Sequence, residues 1–278
     1  MGKIALKILI IYCLVTYAGM GRASAQAVDF SEMLLEAGNL ARQGEWDRSE
    51  IAFMKAAESP LPDERVQAYE GLSNLYKRLK LFKKAGRAEL KLQQEKAFIE
   101  KLVPKDEKYY KSYILQPGDS YAGIATREGV SMKWLQLANG NQPLLLGKTM
   151  RVPVLPYTLR IRQKDKILEW RRGEELIKAY PVAVGRKGME TPKGQFKIAS
   201  KVKHPAWYWL KQEIPPGSPK NLIGTRWLGL SHKGYGIHGT RDPGSIGGAL
   251  SHGCVRLLNR DVEELFEWIP LGTEVAIE

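Results

Sequence analysis

The chain has 278 residues, which is long enough for more than one domain. Its 43 lysines and arginines outnumber its 30 aspartates and glutamates, so its formal net charge is +13 at pH 7. This charge favours an anionic polymer or an acidic peptide as partner. Nucleic acid is the other usual partner of a basic protein, but the sequence contains no nucleic-acid-binding motif, so we expect no binding of nucleic acid.

Residues 1–25 are predicted to be a secretory signal peptide. Lys3 and Lys7 give it a basic start, residues 8–20 are apolar, and residues 23–25 offer the small side chains of a cleavage site. The apolar run falls short of the roughly 20 residues that a membrane-spanning helix needs. We therefore expect export to the periplasm or cell wall of a bacterium, with no membrane span once the signal is removed. An uncleaved anchor is the alternative.

The basic excess is confined to one part of the chain. Loss of the signal peptide removes Lys3, Lys7 and Arg22 and no acidic residue, and residues 26–110 hold equal numbers of acidic and basic side chains. The remaining excess lies wholly from residue 111 onward, so we expect the anionic partner to bind that part of the chain.

Residues 28–105 are predicted to form α-helical hairpins, because apolar and small residues recur at three- and four-residue spacing. The sequence around Trp46 is echoed 36 residues later around Phe82, and Pro60 and Pro62 separate the two copies. This period resembles that of tetratricopeptide repeats, which would imply a groove for a protein partner. An unrelated helical bundle is the alternative, because only two copies are present.

Residues 111–155 are predicted to form a small separate unit with the order strand, helix, helix, strand. Its distinctive residues are Gly118, Asp119, Ser120, Asn139 and Pro153. This pattern resembles the LysM domain, with Tyr121 in place of that family's usual leucine, and the resemblance implies that N-acetylglucosamine glycans bind between residues 118–121 and 140–145. Under this interpretation the candidate glycan-binding residues are Gly118, Asp119, Ser120, Tyr121 and Asn139. Asp119 and Ser120 are also good helix N-caps, so a purely structural role is the alternative.

Residues 157–278 are predicted to form a β-rich unit with one helix. Alternating apolar residues predict strands at 158–162, 167–170, 176–184 and 272–277. Asn259 is the expected N-cap of the helix. The side chains expected on its buried face are Val262, Leu265, Phe266 and Ile269. The whole chain is therefore predicted to be a multidomain α+β protein.

Trp207, Tyr208 and Trp209 form an aromatic cluster with two interpretations. The cluster either lines a substrate cleft as part of a flap or packs in the core, and core packing is at least as well supported because aromatic side chains bury a large area. His204 and His232 are expected to be structural or surface histidines.

Cys254 is the one cysteine outside the predicted signal peptide, since the other, Cys13, lies within it. A thiol with no disulfide partner and with His238 and His252 nearby favours nucleophilic catalysis. Backbone N–H groups around Gly253 and Cys254 are candidate donors to an oxyanion. A buried structural cysteine is one alternative. A zinc site built from the three side chains is another, but it lacks a fourth ligand, and we expect no metal and no cofactor.

The segments His238-Gly239 and Ser251-His252-Gly253-Cys254-Val255-Arg256 give this region a specific pattern. It resembles the signature of the L,D-transpeptidase catalytic domain, also called the YkuD domain, and the likeness extends over residues 157–278. The resemblance implies that Cys254 is the nucleophile and that His238 is the base, oriented by the carbonyl of Gly239. It further implies that Ser251, His252, Gly253 and Arg256 contact the substrate or the oxyanion.

The same resemblance implies an exported enzyme that acts on peptidoglycan. The Cys254 thiolate would attack the carbonyl that precedes the terminal D-alanine of a tetrapeptide stem, release D-alanine and leave a thioester. Four acceptors are possible for the acyl group: an amine of another stem, a protein lysine, a D-amino acid or water. The amine of another stem gives a 3→3 cross-link. Carbapenems are expected to acylate Cys254. A hydrolase acting on the same stems and a catalytically silent wall-binding scaffold are the alternatives.

Overall fold

The computed structural model describes residues 29–154, 157–209 and 212–278. The predicted signal peptide, with Cys13, lies outside these residues. Within the three described ranges, every helix is too short or too polar to cross a membrane.

Two antiparallel helical hairpins form the first described part of the chain. Their helices are α1 (Phe30–Gln43), α2 (Trp46–Ala56), α3 (Pro62–Arg78) and α4 (Phe82–Leu102). Gly44 ends the first helix at φ +81°, and Lys80, 36 residues later, stands at φ +58° between the helices of the second hairpin. The predicted helical hairpins are therefore confirmed, with a left-handed residue at the same place in both copies. Their assignment to tetratricopeptide repeats stays a prediction.

A small unit follows, with the predicted order strand, helix, helix, strand. Its elements are β1 (Tyr110–Ile114), α5 (Tyr121–Glu128), α6 (Met132–Ala138) and β2 (Thr149–Pro153). The two strands pair antiparallel, with Tyr110 opposite Pro153. Ile124 and Leu135 from the helices pack with Met150 of the second strand in a core of their own. The order of elements agrees with the sequence analysis, and the LysM assignment stays a prediction.

Only one of the two predicted caps acts as a cap. Ser120 Oγ accepts a hydrogen bond of 3.1 Å from the N–H of Gly123 at the start of α5. The Asp119 carboxylate instead accepts from the N–H of Gln116 and from the hydroxyl of Tyr113, each at 2.8 Å, and it also accepts from Arg127. The capping role predicted for Asp119 was therefore wrong. Its oxygens are held by Tyr113 in the preceding strand, by Gln116 in the turn and by Arg127 near the end of α5.

A curled eight-stranded sheet dominates the rest of the chain. Its strands in spatial order are β13 (Val255–Arg256), β11 (Gly236–His238), β10 (Arg226–Leu230), β7 (Gly194–Lys203), β14 (Glu274–Ile277), β3 (Tyr157–Arg162), β4 (Ile167–Arg172) and β5 (Glu175–Pro181). Two short pairs flank it, β6 (Val184–Gly185) with β12 (Ala249–Ser251) and β8 (Trp207–Trp209) with β9 (Gln212–Ile214). The strands predicted at 158–162, 167–170 and 272–277 are confirmed. The strand predicted at 176–184 is divided after Pro181.

The helix α7 (Asn259–Trp268) follows the cysteine motif and packs on this sheet. Val262, Leu265 and Phe266 are buried, as is Ile269 just beyond the helix, which confirms the predicted apolar face. The predicted N-cap was wrong by one residue. Leu258 occupies the cap position, and Asn259 Oδ1 accepts a hydrogen bond from the N–H of Thr225 instead.

The hairpins and the small unit have cores of their own, and each also adds a residue to the core of the β-rich unit, Leu102 and Trp134 respectively. Trp134 of α6 stacks on Tyr157 of β3, with ring centroids 4.1 Å apart, and lies 5.9 Å from Trp268 of α7. The Tyr157 hydroxyl donates to the carbonyl of Leu102 at the end of α4. These contacts fix both the helical hairpins and the small unit against the β-rich unit.

A buried ionic cluster adds a second link between the hairpins and α7. Glu264, which is 2% exposed, accepts from Arg65 at 2.9 Å, from Lys178 at 2.5 Å and from the hydroxyl of Tyr180 at 2.8 Å. Arg65 also pairs with Glu95 at 2.7 Å. Burial and the Glu264 charge raise the pKa of Tyr180, so this hydroxyl stays a hydrogen-bond donor.

Replacement of the buried arginine should therefore destabilise the fold. Arg65→Ala leaves Glu264 and Glu95 without their shared cation, and we expect the free energy of unfolding in urea to fall by about 3 kcal/mol. Arg48→Ala is the matched control, because the Arg48–Glu45 pair is exposed and should contribute less than about 1 kcal/mol. Equal losses in the two variants would contradict a structural role for the cluster.

Candidate active site

Two neighbouring parallel strands bring the sequence motifs together. Ile237 lies opposite Val255, and His238 lies opposite Arg256. Cys254 comes directly before β13, two residues from Arg256 and therefore on the same side of the strand. His238, Cys254 and Arg256 all line one pocket. The strand–loop–strand return expected for residues 238–254 is thus present.

His238 is buried and held by its own following residue. Its Nδ1 lies 2.6 Å from the carbonyl oxygen of Gly239, and its ring stacks on that of Trp227 at 5.8 Å. Since a carbonyl only accepts, Nδ1 carries the proton and Nε2 is the basic nitrogen. Burial, together with the smaller effect of the Arg256 charge, lowers the pKa of His238 to about 4, although hydrogen bonds to the backbone at Gly239 and Ile223 oppose this shift. The imidazole is therefore neutral at neutral pH and able to accept a proton.

The Cys254 thiol is also neutral at rest. Burial raises its pKa, and this effect outweighs the opposing effects of a backbone hydrogen bond at Gly236 and the charge of Arg256. Its Sγ is 3.8 Å from the carbonyl oxygen of Gly234, which fits a weak S–H donor. The pocket thus holds a neutral thiol and a neutral imidazole rather than a thiolate–imidazolium pair.

The turn that carries the thiol is fixed by Ser251. The buried hydroxyl of Ser251 donates to the carbonyl of Cys254 at 2.6 Å and accepts from the N–H of Gly253 at 3.1 Å. Gly253 has a φ of +104°, and a Cβ there would lie 2.7 Å from the Tyr235 ring, so glycine is required. The Gly253 N–H donates to Ser251 Oγ, and its role as an oxyanion donor stays a prediction. The N–H of Cys254 is the other candidate donor.

Arg256 places a buried cation beside the nucleophile. The residue is 8% exposed, and its backbone is held on both sides by Ala183 and by β11. Its Nε is buried without a hydrogen-bond partner, and no carboxylate among the described residues lies within ion-pair distance. Burial lowers the pKa of Arg256, although the more distant charge of Asp242 opposes this effect. The guanidinium is thus available to an anionic group of a substrate.

His252 lines the same pocket and is partly exposed. Burial and the charges of Arg186 and Arg256 lower its pKa, so it too is neutral at neutral pH. Among the described residues, no group of three or more histidine, cysteine, aspartate or glutamate side chains is arranged to hold a metal ion.

The pocket has a volume of about 550 Å³ and a largely apolar wall. The wall comprises Val202, Pro205, Ala206, Leu222, Ile223 and Trp227. The hairpin β8–β9 borders it through Trp207 and Tyr208, and Tyr208 is 70% exposed. Core packing was therefore the wrong interpretation for Tyr208, and the flap is favoured. His204 and His232 lie outside the lining residues, as expected.

Trp227, Ile223 and Tyr235 also border the pocket or the turn that carries the thiol, and no motif in the sequence marks them. Trp227 is half-buried and precedes three buried residues of β10, and this pattern indicates a strand but not a pocket. Ile223 and Tyr235 lie in loops whose position depends on the sheet, so no local signal distinguishes them.

The candidate glycan-binding residues lie together, but two of them have structural roles. Asn139 donates to the carbonyls of Leu135 and Arg151 and accepts from the N–H of Arg151, so its amide joins α6 to β2. The Asp119 carboxylate is held by Tyr113, Gln116 and Arg127. The Tyr121 hydroxyl donates to the carbonyl of Gln142 at 2.7 Å and so connects the 118–121 turn with the 140–145 loop.

Because His238 and Cys254 are both neutral, the structure predicts how the alkylation rate of the thiol depends on pH. For the protein without residues 1–25, we expect the rate of iodoacetamide alkylation of Cys254 to rise about tenfold per pH unit from about pH 6 to about pH 8, because the thiolate fraction increases throughout this range. Cys254→Ala, which lacks the thiol, is the control. A rate that is already constant below pH 7 would reveal a preformed thiolate and contradict this description.

The sequence resembles known proteins in the region of this site. The family model "YkuD: L,D-transpeptidase catalytic domain" matches residues 156–277. The putative L,D-transpeptidase YkuD of Bacillus licheniformis is 35% identical over 175 residues, which are 59% of this chain and 97% of the relative. The corresponding protein of Bacillus subtilis is 34% identical over 60% of this chain and 98% of its own length.

Solved structures give more distant matches. An L,D-transpeptidase from Mycobacterium smegmatis is 18% identical with a TM-score of 0.40, over 48% of this chain and 63% of that structure. The catalytic domain of the Enterococcus faecium L,D-transpeptidase is 20% identical with a TM-score of 0.38, over 44% of this chain and 96% of that structure. This chain thus spans less than two thirds of the mycobacterial protein.

Proposed function

The chain belongs to the YkuD family of L,D-transpeptidases, and we propose that it acts on peptidoglycan stem peptides through a thioester on Cys254. The observation that carries this proposal is the buried His238, oriented by the Gly239 carbonyl, in the same pocket as the thiol. The pocket also presents Arg256, whose charge suits a stem peptide with free carboxylates. The proposed products are free D-alanine and a 3→3 cross-link, or a stem joined to a protein or a D-amino acid.

The acylation step follows from the resting state of the site. The Sγ–H proton moves to Nε2 of His238 as Sγ attacks the carbonyl that precedes the terminal D-alanine. The oxyanion that forms is stabilised by the N–H of Cys254 and by the charge of Arg256. The imidazolium then gives its proton to the departing amine, the C–N bond breaks, and D-alanine leaves. A thioester remains on Cys254, and His238 is neutral again.

Deacylation reuses the same groups. An acceptor amine attacks the thioester carbonyl while Nε2 of His238 takes its proton, and the C–S bond breaks. The released thiolate recovers the proton from the imidazolium. Water in place of the amine gives a shortened stem, which is the carboxypeptidase alternative. Export of the enzyme, which this substrate requires, is a further part of the proposal that the basic start and apolar run of residues 1–25 support.

One assay tests the reaction and identifies the acceptor. The protein without residues 1–25 is incubated with a disaccharide-tetrapeptide, and the products are followed by mass spectrometry. We expect release of D-alanine together with a cross-linked dimer, whereas Cys254→Ala should release no D-alanine, because alanine cannot form the thioester. Tripeptide without dimer would identify water as the acceptor. Absence of D-alanine release by the unchanged protein would refute the proposed reaction and favour a wall-binding scaffold.

We further propose that the small unit of residues 111–155 binds glycan and holds the enzyme on its polymeric substrate. The alignment with the Bacillus licheniformis relative covers 59% of this chain, which is more than residues 156–277 contain. This alignment therefore extends into the residues before 156. The 118–121 turn and the 140–145 loop, joined by Tyr121, are the two sides of the proposed groove. A protein partner for the helical hairpins stays a prediction.

Binding to insoluble peptidoglycan checks the glycan proposal. Tyr121→Ala removes an aromatic side chain and the bond that joins the two sides of the groove, so we expect roughly fivefold weaker binding in a sedimentation assay, which corresponds to about 1 kcal/mol. Thr126→Ala, on the same helix but away from the turn, serves as the control and should bind like the unchanged protein. Unaltered binding of Tyr121→Ala would place the glycan contact elsewhere.

A further inference from the structure

Asn259 lies against the backbone that orients the base, although it belongs to the helix that follows the catalytic motif. Its Oδ1 accepts a hydrogen bond of 3.3 Å from the N–H of Thr225. A Cβ built on Gly239 would lie 2.1 Å from this oxygen, and one built on Gly224 would lie 2.3 Å from it. The amide oxygen thus occupies the space that side chains at both glycines would need.

Gly239 is the residue whose carbonyl receives the Nδ1 proton of His238. Its own N–H donates to the carbonyl of Arg226 at 3.2 Å, and the His238 carbonyl accepts from the N–H of Leu257 at 2.8 Å. These two bonds hold the peptide that joins His238 to Gly239 from both neighbouring segments of the sheet. Gly239 also packs against Asn259, with Val262 of the same helix 3.2 Å from the position of a Cβ.

We propose that Asn259 is a positioning residue for the reaction: it holds the Gly239 peptide in the orientation in which the carbonyl receives Nδ1–H of His238, so that Nε2 faces the thiol. This inference rests on the proposed function of His238 as the base. It also accounts for the absence of an N-cap bond from Asn259, because its oxygen is directed to Thr225 and Gly239, away from the first turn of α7.

The charge environment of His238 offers a specific readout. Arg256 from β13 faces the imidazole with a positive charge, and Cys254 and His252 are the titratable groups across the pocket. Asn259→Asp keeps the size of the side chain and an oxygen acceptor but adds a negative charge beside Gly239. A nearby negative charge favours the imidazolium, so this variant should raise the pKa of His238 from about 4 by about one unit.

The experiment compares Asn259→Ala and Asn259→Asp with Arg260→Ala, an exposed neighbour on the same helix. For D-alanine release we expect Asn259→Ala to lower kcat by about tenfold to a hundredfold with little change in KM, since a misplaced base affects the chemical step. Asn259→Asp should restore most of kcat near pH 8 and shift the acidic limb of kcat/KM upward. Arg260→Ala should behave like the unchanged protein.

A second readout needs no substrate. The imidazole C2–H signal of His238 is identified by its loss in His238→Gln, and its titration is followed by NMR in the unchanged protein and in Asn259→Asp. An upward shift supports the contact between residue 259 and the base. An unshifted titration, or an unchanged kcat in Asn259→Ala, would overturn the inference. Failure of the unchanged protein to release D-alanine would refute the proposed function instead. In that case the NMR titration alone would decide whether residue 259 acts on His238.

Discussion

The hydrogen bond between Nδ1 of His238 and the carbonyl of Gly239 determines the chemistry of the site. A carbonyl orients the imidazole as a carboxylate would, but it carries no net charge to stabilise an imidazolium. Burial and the charge of Arg256 then keep His238 neutral, and burial likewise keeps Cys254 protonated. In the reaction that we propose, the pair is activated when a substrate places negative charge beside Arg256 and the Cys254 N–H, which couples proton transfer to attack.

The parts of the chain that are remote from this bond support it through packing. Gly239 lies against α7, and α7 is held in turn by the Glu264 cluster, which reaches α3 through Arg65, and by the contact of Trp268 with Trp134. The helical hairpins and the small unit thus contact the same helix from outside the catalytic sheet. A helix anchored by buried charges and by packed indoles keeps a fixed position, and so does the glycine peptide that packs on it.

Local patterns in the sequence predicted the hairpins, most strands and the buried face of α7, because helical and strand periodicity reflect which side of an element is buried. They failed where a side chain bonds to a partner outside the element in which its propensity would place it. Asn259 and Asp119 have the propensity of N-caps, but Thr225, 34 residues away, takes the oxygen of the first, and Arg127 and Tyr113 hold the second. The pairing of Arg65 with Glu264, 199 residues apart, has no local signature at all.

A neutral, half-buried thiol has a consequence for the arrangement of the whole molecule. Such a thiol is expected to react slowly with small electrophiles and, under the proposed function, to gain little from random encounters with stem peptides. The proposed glycan-binding unit would compensate, because a unit packed through Trp134 against the β-rich unit would keep neighbouring stems at high effective concentration near the pocket. Under this proposal, low intrinsic reactivity and attachment to the polymer are complementary, because specificity then comes from the position of the substrate relative to the buried base.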